Sequence, residues 1–318
     1  MSFLLVFSLF ITVFITNCHV ARGVHQEEID ALANYLQGHF NETMGLIYET
    51  ESLGEHYLIG KFPWLENIPN DHIFWLFDDN LLATYALDPY NQTMVHEIRE
   101  TLNNYGYNET LNRPFFWETL FGYDIPDDQR IGEDYAVEYV EYDYAILVNR
   151  NNGTETLSWW NYTDSLVMKS LDLLWEGKKD EAKEQFRKAY GFFDGVGVYD
   201  RRANETGYYI TFKLALLVYA GKILDLDISP SVENRLWAMQ NQTSGGIAAL
   251  MNFDGTPRGS CNSEAACLTL IAYNDDLIAK LREKAGISPI PPPIAFFTWG
   301  ALIAATGSFV YFLYRRRK

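Results

Sequence analysis

Residues 239–273 read MQNQTSGGIAALMNFDGTPRGSCNSEAACLTLIAY, and the end of this stretch decides the fold. Ala265, Ala266, Cys267, Leu268, Leu270, Ile271 and Ala272 leave a helix with no polar side, and such a helix is buried all round. Asn262, Ser263 and Glu264 stand just before it and are the residue types that cap a helix N-terminus. Gly245, Gly246, Gly255 and Gly259 punctuate the segment upstream, which reads as a flexible loop. A buried helix presenting its polar start to a loop is one way that helical enzymes build a pocket.

The same contrast recurs outward from this stretch. Leu81–Leu87, Thr163–Leu174 and Tyr208–Gly221 are apolar on nearly every side, the last with Lys213 embedded in it. Glu27–Phe40, Met94–Asn104, Lys178–Phe193, Ser231–Gln240 and Asp275–Ala285 are apolar on one face only. Apolar helices belong inside and amphipathic ones outside, and short connections pair them as antiparallel hairpins. The predicted fold is therefore all-α, an α/α toroid of about four or five hairpins, complete or incomplete. Residues 41–76 carry no periodicity. Residues 130–160 break the helical rhythm and predict a small β-hairpin insertion, with Asn151-Asn152-Gly153 as the turn between Ala145–Asn149 and Thr154–Trp160.

The chain ends predict a surface location. Ser2–Thr16 is apolar and Ala21-x-Gly23 follows, as in a secretory signal peptide spanning 1–23. No positive n-region precedes the run, so a retained N-terminal anchor is the alternative. After a domain at 24–288, Pro289 and Pro291–Pro293 make a stiff stalk at 289–293. Residues 294–314 are uncharged and long enough to cross roughly 30 Å of hydrocarbon. Arg315, Arg316, Arg317 and Lys318 close the chain as a cytoplasmic tail under the positive-inside rule. The expected topology is single-pass type I in the cell membrane, with the ectodomain outside. Sequons at Asn41, Asn91, Asn108, Asn152, Asn161, Asn204 and Asn241 agree with an exported glycoprotein. Cys261 and Cys267 are the two cysteines beyond the signal segment; export predicts a disulfide between them, with two free thiols as the alternative. The net charge of −17 disfavours nucleic acid and anionic lipid as partners.

Two motifs carry a resemblance. Asp79-Asn80-Leu-Leu-Ala-x-Tyr-Ala-Leu resembles helix starts found in α/α toroid proteins. Gln240…Gly245-Gly246-Ile…Asp254-Gly255…Asn262-x-Glu264-x-Ala is similar to a signature of secreted, membrane-anchored archaeal proteins of that shape, an architecture shared with six-hairpin glycosidases and terpenoid-cyclase-like toroids. The likeness runs from about Ile29 to Tyr273, outside the β insertion; where the signature has Thr after its Glu, this chain has Ala265.

No GxSxG, GxGxxG, P-loop or HExxH occurs, and all six His lie at or before residue 96. No metal or cofactor is expected. The chemistry left is acidic. Asp79, Asp200 and Glu264 each stand at or just before a buried helix, and paired carboxylates are what a glycoside hydrolase or polysaccharide lyase uses. They are the candidate catalytic residues, with Asn80, Tyr208, Lys213 and Asn262 as candidate substrate contacts and glycans as the candidate partner. The bland alternatives are helix caps for Asp79, Asn262 and Glu264, a turn or a calcium site for Asp194 and Asp200, and a structural ion pair for Lys213. At the level of the whole protein, the alternative to a glycan-acting enzyme is a non-catalytic surface scaffold for adhesion or envelope assembly. A two-lobed solute receptor is disfavoured, since strands and helices do not alternate.

Overall fold

The computed structural model describes residues 25–50, 67–107, 114–125, 134–141, 144–150 and 158–287. The expected signal peptide, stalk, membrane span and tail lie outside those residues, as do Asn108, Asn152 and the Asn151–Gly153 turn. Among the described residues no helix is long and apolar enough to cross a membrane.

Helix dominates. Four helices are buried on nearly every side: α2 (Leu81–Ala86), α5 (Thr163–Trp175), α8 (Phe212–Leu224) and α10 (Ser263–Ala272). α10 packs against both α8 and α2, and α5 packs against α8. Five amphipathic helices cover them: α1 (Gln26–Gly38), α3 (Gln92–Asn104), α6 (Lys179–Tyr190), α9 (Pro230–Trp237) and α11 (Asp275–Lys284). Each buries a stripe at helical spacing, such as Val95, Ile98 and Leu102 on α3 or Ala182, Phe186 and Ala189 on α6. Fully burying one such large side chain contributes about 1.5–3 kcal/mol. α1 lies on α10, α3 on α2, α6 on α5, and α9 and α11 on α8. Two short helices, α4 (Phe115–Glu118) and α7 (Arg201–Thr206), complete the described set.

Small sheets join the helices. β1 (Phe40–Asn41) and β2 (Leu46–Ile47) form a two-residue ladder. β4 (Asp134–Glu141) and β5 (Tyr144–Arg150) form the insertion hairpin, and β5 also runs parallel to β3 (Ile73–Trp75). The described hairpin thus pairs 134–141 with 144–150, closing at Glu141 and Tyr144, and the expected partner at Thr154–Trp160 lies largely outside the described residues. Pairing with β3 buries Ala145–Val148 in the core.

The glycine-rich segment is not a loose loop. It is an antiparallel hairpin of β7 (Ala248–Met251) and β8 (Pro257–Cys261), with β6 (Tyr209–Ile210) on the outer side of β7. Formation of β6 delays the start of α8 from the expected Tyr208 to Phe212. Gly245 sits at φ +81, and a side chain there would put its Cβ 2.6 Å from the Ala31 carbonyl oxygen, so glycine permits close approach to α1 rather than mobility.

The expected disulfide is not formed. Cys261 and Cys267 are both buried and are not bonded to each other. Cys261 ends β8, with its sulfur 3.8 Å from Ser244 Oγ, whereas Cys267 lies inside α10, with its sulfur 3.8 Å from the Asp79 carbonyl. The strand-to-helix turn at Asn262 sends the two side chains to different neighbours. Of the described sequons, Asn204 and Asn241 are exposed, and Asn41, Asn91 and Asn161 are half-buried.

Candidate functional site

β6 and β8 both pair antiparallel with β7, so they run in the same direction. β6 leads through Thr211 into α8, and β8 leads through Asn262 into α10, which puts both helix starts at one end. Hydrogen bonds bring the other two buried helices to that end. Ser263 N donates to the Glu49 carbonyl (2.7 Å), Ser263 Oγ to the Tyr48 carbonyl (2.7 Å), and Thr50 Oγ1 to the Cys261 carbonyl (2.8 Å). Asn80 then ties the same segment to the start of α2. Its Nδ2 donates to the Ile47 and Trp75 carbonyls (3.0 and 2.6 Å), and its Oδ1 accepts from Ile47 N (2.7 Å). Asp200 joins the start of α5 to the start of α8, as described below.

The first result of this convergence is a cluster of acids. Leu76–Asn80, between β3 and α2, makes a single wide π-helical turn, a geometry that is frequent at functional sites, and it buries both Asp78 and Asp79. Asp78 Oδ1 accepts from Asp79 N (2.9 Å), and Glu49 Oε2 accepts from Trp75 Nε1 (2.8 Å). Asp79 is 2% exposed, and its Oδ2 is buried without a hydrogen-bond partner among the described residues. Burial pushes the Asp79 carboxyl well above the usual carboxylate range, and the nearby charges of Asp78, Glu49 and Glu264 push it the same way. The Cys267 thiol, behind the same turn, is pushed up by burial and by Asp79, Glu264 and Asp78. Glu264, in the first turn of α10, is the partly exposed member of the group.

The second result is a paired cluster. Asp200 Oδ1 caps α7 by accepting from Arg202 N and Ala203 N (3.1 and 3.2 Å). Its Oδ2 accepts from Lys213 Nζ (2.6 Å) and from Thr163 N at the start of α5 (3.0 Å). Lys213 also stands 3.5 Å from Asp164. Burial alone would lower the Lys213 ammonium, but Asp164 and Asp200 outweigh it, and the group ends above its ordinary value. This lysine stays charged. Beside it, Asp194 Oδ1 accepts from Val196 N and Gly197 N (both 2.9 Å), and its Oδ2 accepts from Tyr209 OH. Burial would raise Asp194, but these hydrogen bonds hold it below its usual value.

The predicted residues therefore separate. Asp79 and Glu264 act on each other's charge. Asp200 is spent on a helix cap and on Lys213, in a cluster of its own. Asn262 caps α10 through Ala265 N (3.0 Å), and Asn80 spends its carboxamide on backbone. Tyr208 faces Arg258, whose guanidinium lies 4.9 Å above its ring, while the ring near Lys213 is that of Tyr162 (5.8 Å). Sequence reasoning missed Glu49 and Asp164. The signal for Asp164 was its place in the first turn of a buried helix; Glu49 lies in a segment with no periodicity. Among the described residues no group of three or more His, Cys, Asp or Glu is arranged to hold a metal ion.

No family model matches the sequence, and no match is found among curated proteins or solved structures. Function must be argued from the site itself.

Proposed function

We propose that this chain is a membrane-anchored surface glycoprotein whose helical ectodomain, an α/α toroid, acts on glycans through the Asp79–Glu264 pair. The observation that carries the reading is Asp79 Oδ2, a buried and unpartnered carboxyl oxygen whose neighbours favour the protonated form. A carboxylic acid kept neutral beside a second, more exposed carboxylate is the division of labour that glycoside hydrolysis needs. In that reaction Asp79 gives its proton to the glycosidic oxygen as the C1–O bond breaks. Glu264 takes a proton from the water whose oxygen bonds to C1, or attacks C1 itself before water releases the sugar. The resemblance to secreted, membrane-anchored archaeal toroids, the sequons and the acidic charge support the surface setting. No cofactor enters the scheme.

A second reading is favoured by one specific observation: Asn80, Asp200, Lys213 and Asn262 all have structural partners. On that reading the domain is a non-catalytic scaffold for adhesion or envelope assembly. One experiment separates them. The detergent-solubilised full chain is incubated with a panel of oligosaccharides, and new reducing ends and unsaturated products are measured. Catalysis predicts release that falls by roughly 10²–10⁴-fold in Asp79→Asn, the usual worth of general acid catalysis. No release, or release unchanged in Asp79→Asn, leaves the scaffold.

A further inference from the structure

The turn that joins β7 to β8 carries an aromatic ring to the outside. Asn252 N donates to the Thr256 carbonyl (2.9 Å), and Asp254 Oδ1 accepts from Thr256 N and Oγ1 (2.9 and 2.6 Å). These bonds fix the turn, yet Phe253 within it is 43% exposed. Tyr199, just ahead of α7, is 44% exposed, and its ring lies 5.5 Å from that of Phe253. The buried ring of Tyr209 supports both, at 6.3 Å from Tyr199 and 4.8 Å from Phe253. Tyr209 is itself held: its hydroxyl donates to Asp194 Oδ2, and a Cβ at Gly197 would stand 2.4 Å from its ring, so backbone presses against that face. Two large exposed rings side by side on a fixed base form a platform, and contiguous exposed apolar surface of this kind marks a place where something binds.

The neighbour of the platform says what covers it. Asn204, in the sequon Asn204-Glu205-Thr206, is exposed on α7, and Tyr199 OH donates to its Oδ1 (3.2 Å). Its Nδ2 has no hydrogen-bond partner among the described residues. The other described sequons differ. Asn41, Asn91 and Asn161 are half-buried, and the Nδ2 atoms of the first two donate to the Asp71 carbonyl (3.4 Å) and to Gln37 Oε1 (3.0 Å). Asn241 is exposed, but its Oδ1 accepts from the Thr243 and Ser244 amides (2.8 and 3.1 Å) rather than from a tyrosine. Among the described sequons, Asn204 is the one that joins an open amide nitrogen to an aromatic hydroxyl.

Resting on the surface-glycoprotein reading above, we propose that Asn204 carries an N-linked glycan whose first pyranose lies on the Tyr199–Phe253 platform. The sugar comes from a polyprenyl phosphate donor before the chain folds. The bond from Nδ2 to C1 forms, the C1–O bond breaks with its electron pair passing to the phosphate, and Nδ2 gives up one proton. The linked carboxamide keeps Oδ1, so the hydrogen bond from Tyr199 survives. One face of a pyranose presents C–H bonds with partly positive hydrogens, and the faces of aromatic rings are negative. Contact also takes the apolar area of both rings out of water. The covalent tether holds the sugar beside the rings at a high effective concentration, so a weak contact suffices.

The test uses the full chain made in an N-glycosylating host and purified in detergent, with its glycopeptides mapped by mass. Sugar is expected at Asn204. Asn204→Asp removes the glycan but keeps an acceptor for Tyr199 OH, and its Tm is expected about 2–4 °C below the parent. In a Phe253→Ser background the same change is expected to shift Tm much less, because the sugar has lost its support. Nitration of Tyr199 is expected to be slower in the glycosylated chain than in Asn204→Asp, a readout that general stabilisation does not move. Thr243→Ala, which removes the Asn241 sequon, is the control and is expected to change neither value. Sugar at other sequons with Asn204 bare, or a Tm loss just as large in the Phe253→Ser background, overturns this inference and leaves the glycoprotein reading intact. Equal protection of Tyr199 in Asn204→Asp, whether by an added oligosaccharide or by a second copy of the chain, gives the platform another occupant and overturns it too. No sugar at any sequon overturns both.

Discussion

Two acidic clusters stand at neighbouring helix starts, and they solve the burial of carboxylates in opposite ways. Around Asp200 each oxygen is answered, by two amides of α7, by the Thr163 amide and by the Lys213 ammonium. Around Asp79, burial and the carboxyls of Asp78, Glu49 and Glu264 push its carboxyl upward, and one of its oxygens has no partner among the described residues. The first arrangement favours the ionised carboxylate; the second favours the protonated one at Asp79. Residue type does not distinguish the two, because both are aspartates beside the start of a buried helix. What distinguishes them is the lysine thirteen positions after Asp200, with no equivalent after Asp79 on α2.

The comparison breaks most easily at Lys213. Replacing it with Met keeps the volume but leaves Asp200 buried without its cation. Removing one partner of a buried ion pair costs about 3–5 kcal/mol. Chemical denaturation should show a loss of that size in Lys213→Met, partly recovered when Asp200→Asn is added, because the two sites are coupled. If Lys213→Met is as stable as the parent, the pair is not structural and the contrast between clusters fails.

Asn80→Ala comes next. It removes three buried hydrogen bonds and leaves the Ile47 amide and carbonyl and the Trp75 carbonyl without those partners. Unsatisfied buried groups cost about 1–3 kcal/mol each, with relaxation and water recovering part. The expected loss is on the order of 2–4 kcal/mol, with any glycan cleavage lost as well, since this residue aligns 47–50 with the acids.

Asp79→Asn should act in the opposite direction. The Asp79 carboxyl is raised in the folded state, so between its ordinary value and its folded value the native protein holds a proton that the unfolded chain has released. Stability from this group is full below about pH 4 and is lost as pH rises through the folded value. Asparagine carries no such loss. Thermal melts should show Asp79→Asn above the parent at neutral pH and level with it near pH 4. A variant that melts lower at neutral pH would mean that Asp79 is ionised and paired.

How far the sequence foretells this arrangement depends on period. The helices were legible because apolar residues recur at helical spacing, and α2, α5, α8 and α10 stand out for lacking a polar face. The cap at Asn262 was legible too, whereas Asp200, read as a turn or calcium residue, caps α7. Lys213, a cation in an apolar helix, announced that it needed a carboxylate. Glu49 was not legible. It lies beyond a two-residue strand, and its neighbours are set by the Ser263 and Asn80 hydrogen bonds, which join positions more than thirty or two hundred residues apart. The pairing of β5 was hidden for a related reason: it is placed by its parallel partner β3, distant in the chain. The open disulfide shows the same limit, since spacing alone does not say that Cys261 ends a strand and Cys267 faces α2.

The smallest test asks whether a cap can carry charge at the Asp79 cluster as it does at Asp200. Asn262→Ala should lose about 1 kcal/mol, the usual worth of a capping side chain. Asn262→Asp keeps the acceptor, and aspartate caps a helix as well as asparagine does. It also places a negative charge at the positive end of α10, which is worth about 0.3–1 kcal/mol in isolation. Here that gain meets a cost, because the new carboxylate stands two residues before Glu264 and beside the segment carrying Glu49. At Asp200 the same charge is answered by Lys213; at position 262 the near charges are acids. Asn262→Asp should therefore match the parent under acidic conditions, where the cluster is protonated, and fall below it at neutral pH. Parallel melts of the alanine and aspartate variants separate loss of the cap from repulsion. An aspartate variant more stable than the parent at neutral pH would mean that a cation already neutralises the cluster, and the contrast between the two helix starts would disappear.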